Sequence, residues 1–224
     1  TADTGVDITG TLAVTGAITS TSDLTVAEKV IHAGDTDTFV SFPAANTVSV
    51  ETGGIEALRV DNSQRLLIGT SSARSSGGSV NAHLQLEGTT SQSSEFLITR
   101  NTANTFGPTL GLVKTRGTSV GSNTAVQDND VLGKIQFRGA DGSDIFSVGA
   151  SIFARVNGTP SDGTDMPAEL VFATTADGAS SPTERLTIDS AGKATFTVDA
   201  IINSISVGKG ANSVAGNTVL GESA

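Results

Sequence analysis

The sequence predicts an all-β fold whose strands are completed by identical copies of the same chain. Three observations support this prediction: an apolar repeat of six residues near the start, turn residues between short apolar runs, and no sustained helical period. The chain has 224 residues, among them 26 Gly but no Cys, Trp or Tyr. Charged residues make up 16% and apolar residues 37%. Because both shares are below those of an average globular domain, each copy is expected to have a thin core.

The six-residue repeat covers the segment Val6–Val26. Most repeats carry an apolar residue at one position and another two positions later, the spacing of side chains on one face of a strand. Gly10 and Gly16 hold a third position, where we expect a bend. The candidate core residues of the assembly are Val6, Ile8, Leu12, Val14, Ile18, Leu24 and Val26. So few repeats cannot enclose a continuous core alone, and they therefore predict a closed homo-oligomer.

A small β module with a linker follows at residues 31–78, after a shaft at residues 1–30. Turn residues such as Gly53-Gly54 separate its short apolar runs, as in consecutive hairpins. The predicted strands are Phe39–Phe42, Thr47–Val50, Ile55–Val60 and Arg65–Ile68. Residues 70–78 are small, polar and Gly-rich, which is typical of a linker.

A larger antiparallel knob is predicted for residues 79–198, and a second shaft or a glycine-rich repeat for residues 199–224. Asp-Gly and Asn-Gly pairs mark the turns of the knob. Its predicted strands are His83–Leu86, Glu95–Thr99, Thr109–Lys114, Gly133–Arg138, Ile145–Val156 and Leu170–Thr174. Their spacing is that of a sandwich or barrel.

A short sequence repeat, which we call the internal echo, occurs in both modules. Glu56–Asp61 reappears as Glu184–Asp189, and in each copy a short turn leads to a basic residue, Arg65 or Lys193. Each copy closes its own β module, so the sequence predicts related closing hairpins.

Composition narrows the classes of partner. A net charge of −10 argues against binding the phosphate backbone of nucleic acid, which needs clustered basic residues. No apolar run approaches the roughly 20 residues of a membrane span, so no membrane insertion is expected. Without cysteine the chain has no disulfides, thiolate catalysis or cysteine zinc sites.

Two short patterns match catalytic or ligand-binding chemistry, and both have simpler interpretations. Gly117–Gly121 fits the G-x-S-x-G form of a hydrolase with Ser119 as nucleophile, but that motif needs a strand before it and a helix after it. We favour an ordinary Gly/Ser turn. His32 follows the six-residue repeat, where three copies could gather a metal or an anion. A solvated or packed histidine is the favoured interpretation.

Acidic and amide side chains in the loops give further alternatives. Asp128, Asp130, Asp141, Asp144, Asp162 and Asp165 offer oxygen ligands for calcium, but none fits the twelve-residue calcium loop. A carboxylate pair for glycoside hydrolysis depends on the fold and stays open. Asn157-Gly158-Thr159 matches a glycosylation sequon, and we favour a turn there. The sequence thus predicts no catalytic residue, cofactor or metal.

Several segments resemble tail fibre proteins of tailed bacteriophages. They are GTLAVTGAITSTSDLTV, GDTDTFVSFPAANTVSVETGGIEALRVDNSQRLLIGTSS, and the pair DNDVLGKIQFRGADGSD and MPAELVFATTADGASSPTERLTIDSAGKATF. The terminal NTVLGESA is similar to glycine-rich head repeats of such fibres and of trimeric bacterial adhesins. The resemblance spans most of the chain.

The resemblance implies a homotrimeric fibre of narrow triple-stranded β shafts and wider antiparallel knobs. It implies a non-enzymatic virion component that is made in the host cytoplasm and acts outside the cell. Its implied partners are other copies, further tail or fibre proteins, and a host receptor, with a glycan as one option. The candidate receptor-contact residues are Asp141, Asp144, Asn157, Asp162 and Asp165. A polysaccharide-degrading tailspike and a fragment of a trimeric adhesin are the alternatives.

Overall fold

The computed structural model describes residues 8–77, 80–161, 163–202, 205–208 and 219–221. Strands form all of its regular structure apart from one 3₁₀ turn at Gln92–Ser94, which confirms the predicted all-β class for the described chain. The strands are β1 (Lys29–His32), β2 (Asp35–Ser41), β3 (Val48–Thr52), β4 (Ile55–Val60), β5 (Leu66–Ile68), β6 (Leu84–Leu86), β7 (Val131–Gly139), β8 (Ser147–Val156), β9 (Ala168–Thr174), β10 (Thr183–Ile188), β11 (Ala194–Phe196), β12 (Ala200–Ile202), β13 (Ile205–Gly208) and β14 (Val219–Gly221).

These strands form three sheets, each in sequence order. The first has six strands, β1 to β6, and the second has five, β11 to β7. All neighbouring pairs in the first two sheets are antiparallel except β5 and β6, which are parallel. The last three strands, β12 to β14, form a small antiparallel sheet. The first two sheets therefore each contain a five-stranded antiparallel meander.

The chain divides into two compact units, and the division differs from the predicted boundaries. The first unit takes in Asn81–Glu95, and the second includes the chain from Phe96 onwards. Strand β6 thus belongs with the small β module, although the sequence placed it in the knob. The reason is its parallel pairing with β5, a contact that the residues between them do not reveal.

The six-residue repeat contains regularly spaced bends but no strands among residues 8–28. The bends lie at residues 9–10, 15–16, 21–22 and 27–28, which is the period of the repeat. The side chains of Ile8, Leu12, Val14, Ile18 and Leu24 are exposed, and Val26 is half-buried. Val6 lies outside the described residues. A strand needs a hydrogen-bonded neighbour, and the described part of this single chain offers these residues none, so the strands predicted here are not formed within it.

Two further predicted strands, Glu95–Thr99 and Thr109–Lys114, are wrong: neither segment has regular structure. Their apolar side chains are largely exposed, among them Phe96, Leu97, Leu110 and Val113. Apolar spacing reveals which residues suit a strand, but not whether a partner strand is within reach.

The two meanders share one hydrogen-bonding register. In the first, Val50 pairs with Val40 and with Leu58. In the second, Phe172 pairs with Ile152 and with Leu186. Each central pair of strands also contains a bulge, where the register skips Ala57 in β4 and Arg185 in β10. The carbonyls of these two skipped residues accept hydrogen bonds from the amides of Gly69 and Thr197.

The closing turn of each meander has the same hydrogen bonds. The Asp61 carboxylate accepts from the amides of Ser63 and Arg65 at 2.9 and 3.1 Å. The Asp189 carboxylate accepts from those of Ala191 and Lys193 at 3.0 and 2.9 Å. The internal echo of the sequence thus corresponds to the same hairpin turn in both meanders. In each, the carboxylate that caps the turn fixes the shape of the turn.

Candidate interaction surfaces

The first sheet carries an apolar face that stays open in the single chain. The residues that share this face alternate along each strand, and the register aligns them into two rows across the sheet. We call this the first apolar face: Val30, Val40, Val50, Leu58, Ile68 and Leu86 in one row, with Phe42, Val48, Val60, Leu66 and Leu84 in the next. Seven of these residues are between 38% and 58% exposed.

The opposite face of the same sheet mixes polar, charged and apolar side chains, and its centre is better buried, with Leu67 completely buried there. The Ser41 and Ser49 hydroxyls lie 2.7 Å apart, and Ser49 is completely buried. On the same face the Lys29 ammonium lies 4.2 Å from the centroid of the Phe39 ring. The sheet therefore buries the centre of this mixed face and leaves its apolar face open.

The second sheet repeats this arrangement at the equivalent register positions. Its second apolar face comprises Ile135, Ile152, Phe172, Leu186 and Phe196 in one row, with Ala154, Leu170, Ile188 and Ala194 beside it. Ile135, Leu170, Ile188 and Phe196 are exposed by 36% to 55%. Both meanders therefore leave the same apolar face open.

The other face of the second sheet carries its small core and its ion pairs. Phe153, Val171 and Ala173 form the buried cluster. Beside them the Arg155 guanidinium contacts the carboxylates of Glu169 and Glu184, joining three neighbouring strands. These hydrogen-bonded carboxylates raise the pKa of Arg155, against the opposing effect of burial. The charged groups of this sheet thus lie opposite the second apolar face.

The candidate receptor-contact residues do not come together. Asp141 and Asp144 lie in the turn between β7 and β8, whereas Asn157 and Asp165 lie between β8 and β9, at the other end of β8. That strand has ten residues, so the two loops are roughly 30 Å apart. Asp162 lies outside the described residues. A single compact receptor site cannot use both loops of one chain.

At one end of the sheet, acidic side chains are engaged in their own turn. The Asp141 carboxylate accepts hydrogen bonds from the amides of Ser143 and Asp144 at 2.9 and 3.0 Å and from the Ser147 hydroxyl at 2.9 Å. Its pKa is lowered, first by the Asp144 amide. Asp144 accepts from the amide of Phe146 at 2.8 Å. A shallow groove of about 350 Å³ adjoins this turn, with Asp177 on its wall.

At the other end, Asn157 connects two turns rather than pointing freely outward. Its side-chain oxygen accepts from the Ser190 hydroxyl at 2.7 Å, and its amide group donates to Glu169 at 3.4 Å. Asp165 accepts from the amide of Ser161 at 2.8 Å. These bonds give both residues a role in loop shape.

The described residues offer little of the geometry that a hydrolase, a metal site or a membrane span would need. Ser119 lies in a turn, and its carbonyl oxygen accepts a hydrogen bond from the amide of Ser122 at 3.1 Å. No helix follows this turn. His32 lies 3.8 Å from an Asp35 carboxylate oxygen and is largely exposed. Within the described ranges, no three His, Asp or Glu side chains are grouped to hold a metal ion. No helix in that part of the chain is long and apolar enough to cross a membrane.

Sequence reasoning missed the two apolar faces, although their signal is present. Val48 and Val50, or Leu66 and Ile68, alternate with other residues at the period of a strand. The predicted strands contained these residues, but the sequence did not predict which residues of neighbouring strands pair with each other.

These features define the fold class: an all-β chain with two meanders in sequence order, each with an open apolar face. Known structures share this fold. The chain is similar to the carboxy-terminal domain of the bacteriophage T5 L-shaped tail fibre, with a TM-score of 0.55 and 16% identity over 80% of each chain. The same domain with its intra-molecular chaperone domain gives a TM-score of 0.51 and 14% identity. The match covers 84% of this chain and 62% of that one.

Searches of protein-family models and of curated sequences found no match. The similarity to the tail fibre domain is therefore one of fold, in agreement with the predicted resemblance to phage tail fibres.

Proposed function

We propose that this chain is a structural segment of a bacteriophage tail fibre. In this proposal three copies form a rigid shaft and knob that supports or mediates attachment of the virion to the host cell. The observation that carries the proposal is the pair of open apolar faces, because a chain that works alone would have to leave both in water. The fold shared with a tail fibre domain supports the same assignment.

The six-residue repeat adds independent support for assembly. Its bends recur with the period of the apolar residues, and four of those residues are more than 45% exposed: Ile8, Leu12, Ile18 and Leu24. Three such chains side by side can pair their extended segments and bury these side chains. A closed arrangement would also give the strand edges partners and so prevent uncontrolled association.

The proposed role is mechanical, without catalysis, cofactor or bound metal. Its partners are the other copies, adjoining tail or fibre proteins, and a host receptor that includes a glycan as one option. The fibre is made in the host cytoplasm and works outside the cell as part of the virion. Charged side chains on the faces opposite the apolar ones, such as Arg59 and Arg155, suit the solvent side of such a fibre.

Direct receptor contact is the second candidate role, and the turn that contains Asp141 and Asp144 is its preferred location. The groove beside this turn favours it over the Asn157 end. Adsorption of phage carrying the fibre tests this role. Replacing Ser143 by a larger side chain, which leaves the carboxylates of Asp141 and Asp144 in place, is expected to reduce adsorption, while unchanged adsorption would limit the segment to support.

Solution mass tests the main proposal. Light scattering after size exclusion, at several concentrations, should give three chain masses and an elongated shape. A compact monomer at every concentration would contradict it. Release of reducing ends from capsule or lipopolysaccharide would instead favour the tailspike alternative, and a membrane-anchoring domain in the complete gene would favour the adhesin.

A further inference from the structure

We propose that the first and second apolar faces are both contact surfaces for copies of this same chain. Each sheet would then turn its apolar rows toward its counterparts and its ion pairs toward solvent. The inference rests on the proposed function and adds to it the surfaces and the register of contact. It also moves most of the buried contact away from the six-residue repeat, where the sequence alone placed it.

The size of the faces suits a stable interface. Seven side chains of the first face are exposed by 38% to 58%, and four of the second face by 36% to 55%, which corresponds to apolar area on the order of 400 Å² on the first face and 200 Å² on the second. Monomers rarely expose contiguous apolar patches of more than a few hundred Å². A standard protein interface takes roughly 800 Å² from each partner. The first face alone therefore exposes a patch of a few hundred Å², about half of the area that a standard interface takes from one partner.

The distribution of charge favours a copy of the same chain as the occupant. The chain carries a net charge of −10, so its copies repel each other through most of their surface. Both apolar faces contain only Ala, Val, Leu, Ile and Phe. Identical chains can meet there without bringing like charges together. A partner chosen by charge would instead need the basic or acidic groups that lie on the opposite faces.

Duplication gives a second argument for the same occupant. The row Val30, Val40, Val50, Leu58 and Ile68 occupies the register positions of Ile135, Ile152, Phe172, Leu186 and Phe196. The residue types differ between the rows, whereas their apolar character and position are the same. A second copy presents both faces itself, so one kind of partner can cover both.

Spin labelling can test this arrangement because the natural chain has no cysteine. Val50→Cys and Leu186→Cys place one nitroxide on each apolar face. Since packed sheets lie about 10 Å apart, labels on different copies should broaden each other's spectra strongly. Refolding with an excess of unlabelled chain should remove the broadening, which identifies it as a contact between copies.

Matched controls are the next residues on the same strands. Glu51→Cys and Thr187→Cys point to the opposite faces, and their labels should give narrow spectra in the same assembly. If a central variant fails to fold by circular dichroism, Val30→Cys at the rim of the first face, where the side chain is 55% exposed, replaces it with the same expected broadening.

The outcomes separate this inference from the proposed function. A trimer with broadening only at the face positions supports both. A trimer whose face labels give narrow spectra, or whose control labels broaden equally, overturns the inference and leaves the trimeric fibre intact. A monomeric mass overturns both, and it would assign the faces to another protein.

Discussion

The two meanders have the same strand register and closing turn, but the side chains buried at their centres differ. At the register positions where the first meander buries the hydroxyl pair of Ser41 and Ser49, the second buries Phe153 and Val171. Both Ser49 and Val171 are completely buried. The same strand register thus accepts polar or apolar side chains at its centre, because the bulge and the closing turn fix the register independently of those side chains.

The same comparison holds for the ion pairs. In the first meander the Arg59 guanidinium donates to Glu56 on its own strand, at 2.6 Å from Nε. In the second, Arg155 reaches across to carboxylates on two neighbouring strands. The ion pairs of the second meander therefore join different strands, whereas that of the first lies within one strand. This difference gives measurable expectations.

The largest expected effect is the loss of assembly when a carboxylate enters either apolar face. Leu58→Asp and Leu186→Asp should each reduce the mass measured by light scattering to that of a single chain. An unpaired buried charge costs about 3–5 kcal/mol in each copy. Thr195→Asp, at an exposed position on the opposite face next to Phe196, is the control and should keep the full mass. If all three variants gave the same mass, the two faces of a sheet would not differ in their role in assembly.

Truncation of the two interiors should have unequal effects on the free energy of unfolding. Phe153→Ala removes a large side chain from the apolar cluster and should cost about 3–5 kcal/mol. Ser41→Ala removes one hydroxyl and leaves that of Ser49 without its partner, at a cost of about 1–2 kcal/mol. Denaturant titration at a fixed chain concentration measures both. Similar losses would mean that the interiors are energetically equivalent.

The parallel strand β6 distinguishes the first sheet, and Gly69 makes room for it. A Cβ at Gly69 would lie 2.1 Å from the Glu87 carbonyl oxygen, and its φ is +75°. Gly69→Ala should therefore cost about 1–3 kcal/mol and speed hydrogen exchange of the Glu87 amide, which donates to Ile68 at 3.0 Å. Thr197→Ser, at the equivalent position of the second meander, keeps the hydroxyl that donates to the Glu184 carbonyl at 3.1 Å and should leave exchange in its own sheet unchanged.

The closing turns should differ in sensitivity despite their shared hydrogen bonds. Asp61→Ala removes acceptors for two amides and for the Arg65 guanidinium, whose Nε lies 2.7 Å from the carboxylate. It should cost about 1–3 kcal/mol, and Asp189→Ala about 1 kcal/mol, since the latter loses amide contacts in a more exposed turn. Thermal unfolding compares them. A larger loss for Asp189→Ala would contradict this ranking.

The smallest expected effect is a pH dependence in the second unit. The Arg116 guanidinium, with the amide of Gln127, lowers the pKa of Asp130 from 3.8 to about 2. A lowered pKa in the folded state stabilises it above pH 3.8, and this contribution is lost as the pH falls toward 2. The unfolding midpoint of Asp130→Asn should thus be below that of the natural chain at pH 6 and equal to it near pH 2. A constant difference would exclude this ion pair as its source.

Local features were largely accessible from the sequence. The strands β3, β4, β7, β8 and β9 lie within two or three residues of their predicted bounds. The echo ending at Asp61 and Asp189 predicted two related turns, and both exist with the same hydrogen bonds. Such features depend on side chains a few residues apart, and one stretch of sequence contains all the groups involved.

Pairing partners were the least accessible feature. Glu95–Thr99 and Thr109–Lys114 have strand-like composition but no partner in the described chain, whereas β6 finds one in the first sheet. The predicted receptor loops failed to meet for a related reason, since they lie at opposite ends of β8. Which loops are neighbours depends on strand order, and no local pattern encodes it.

The sequence by itself determined that this protein is built of short strands, where most of its turns lie, and that its core is thin. Only the tertiary structure decided that two meanders share one register and that each leaves the same apolar face open. The reason is physical: turns are stabilised within a few residues, whereas a face exists only after hydrogen bonds align several strands. Val50 and Phe172 are ordinary strand residues in the sequence, and the register places each at the centre of an apolar row.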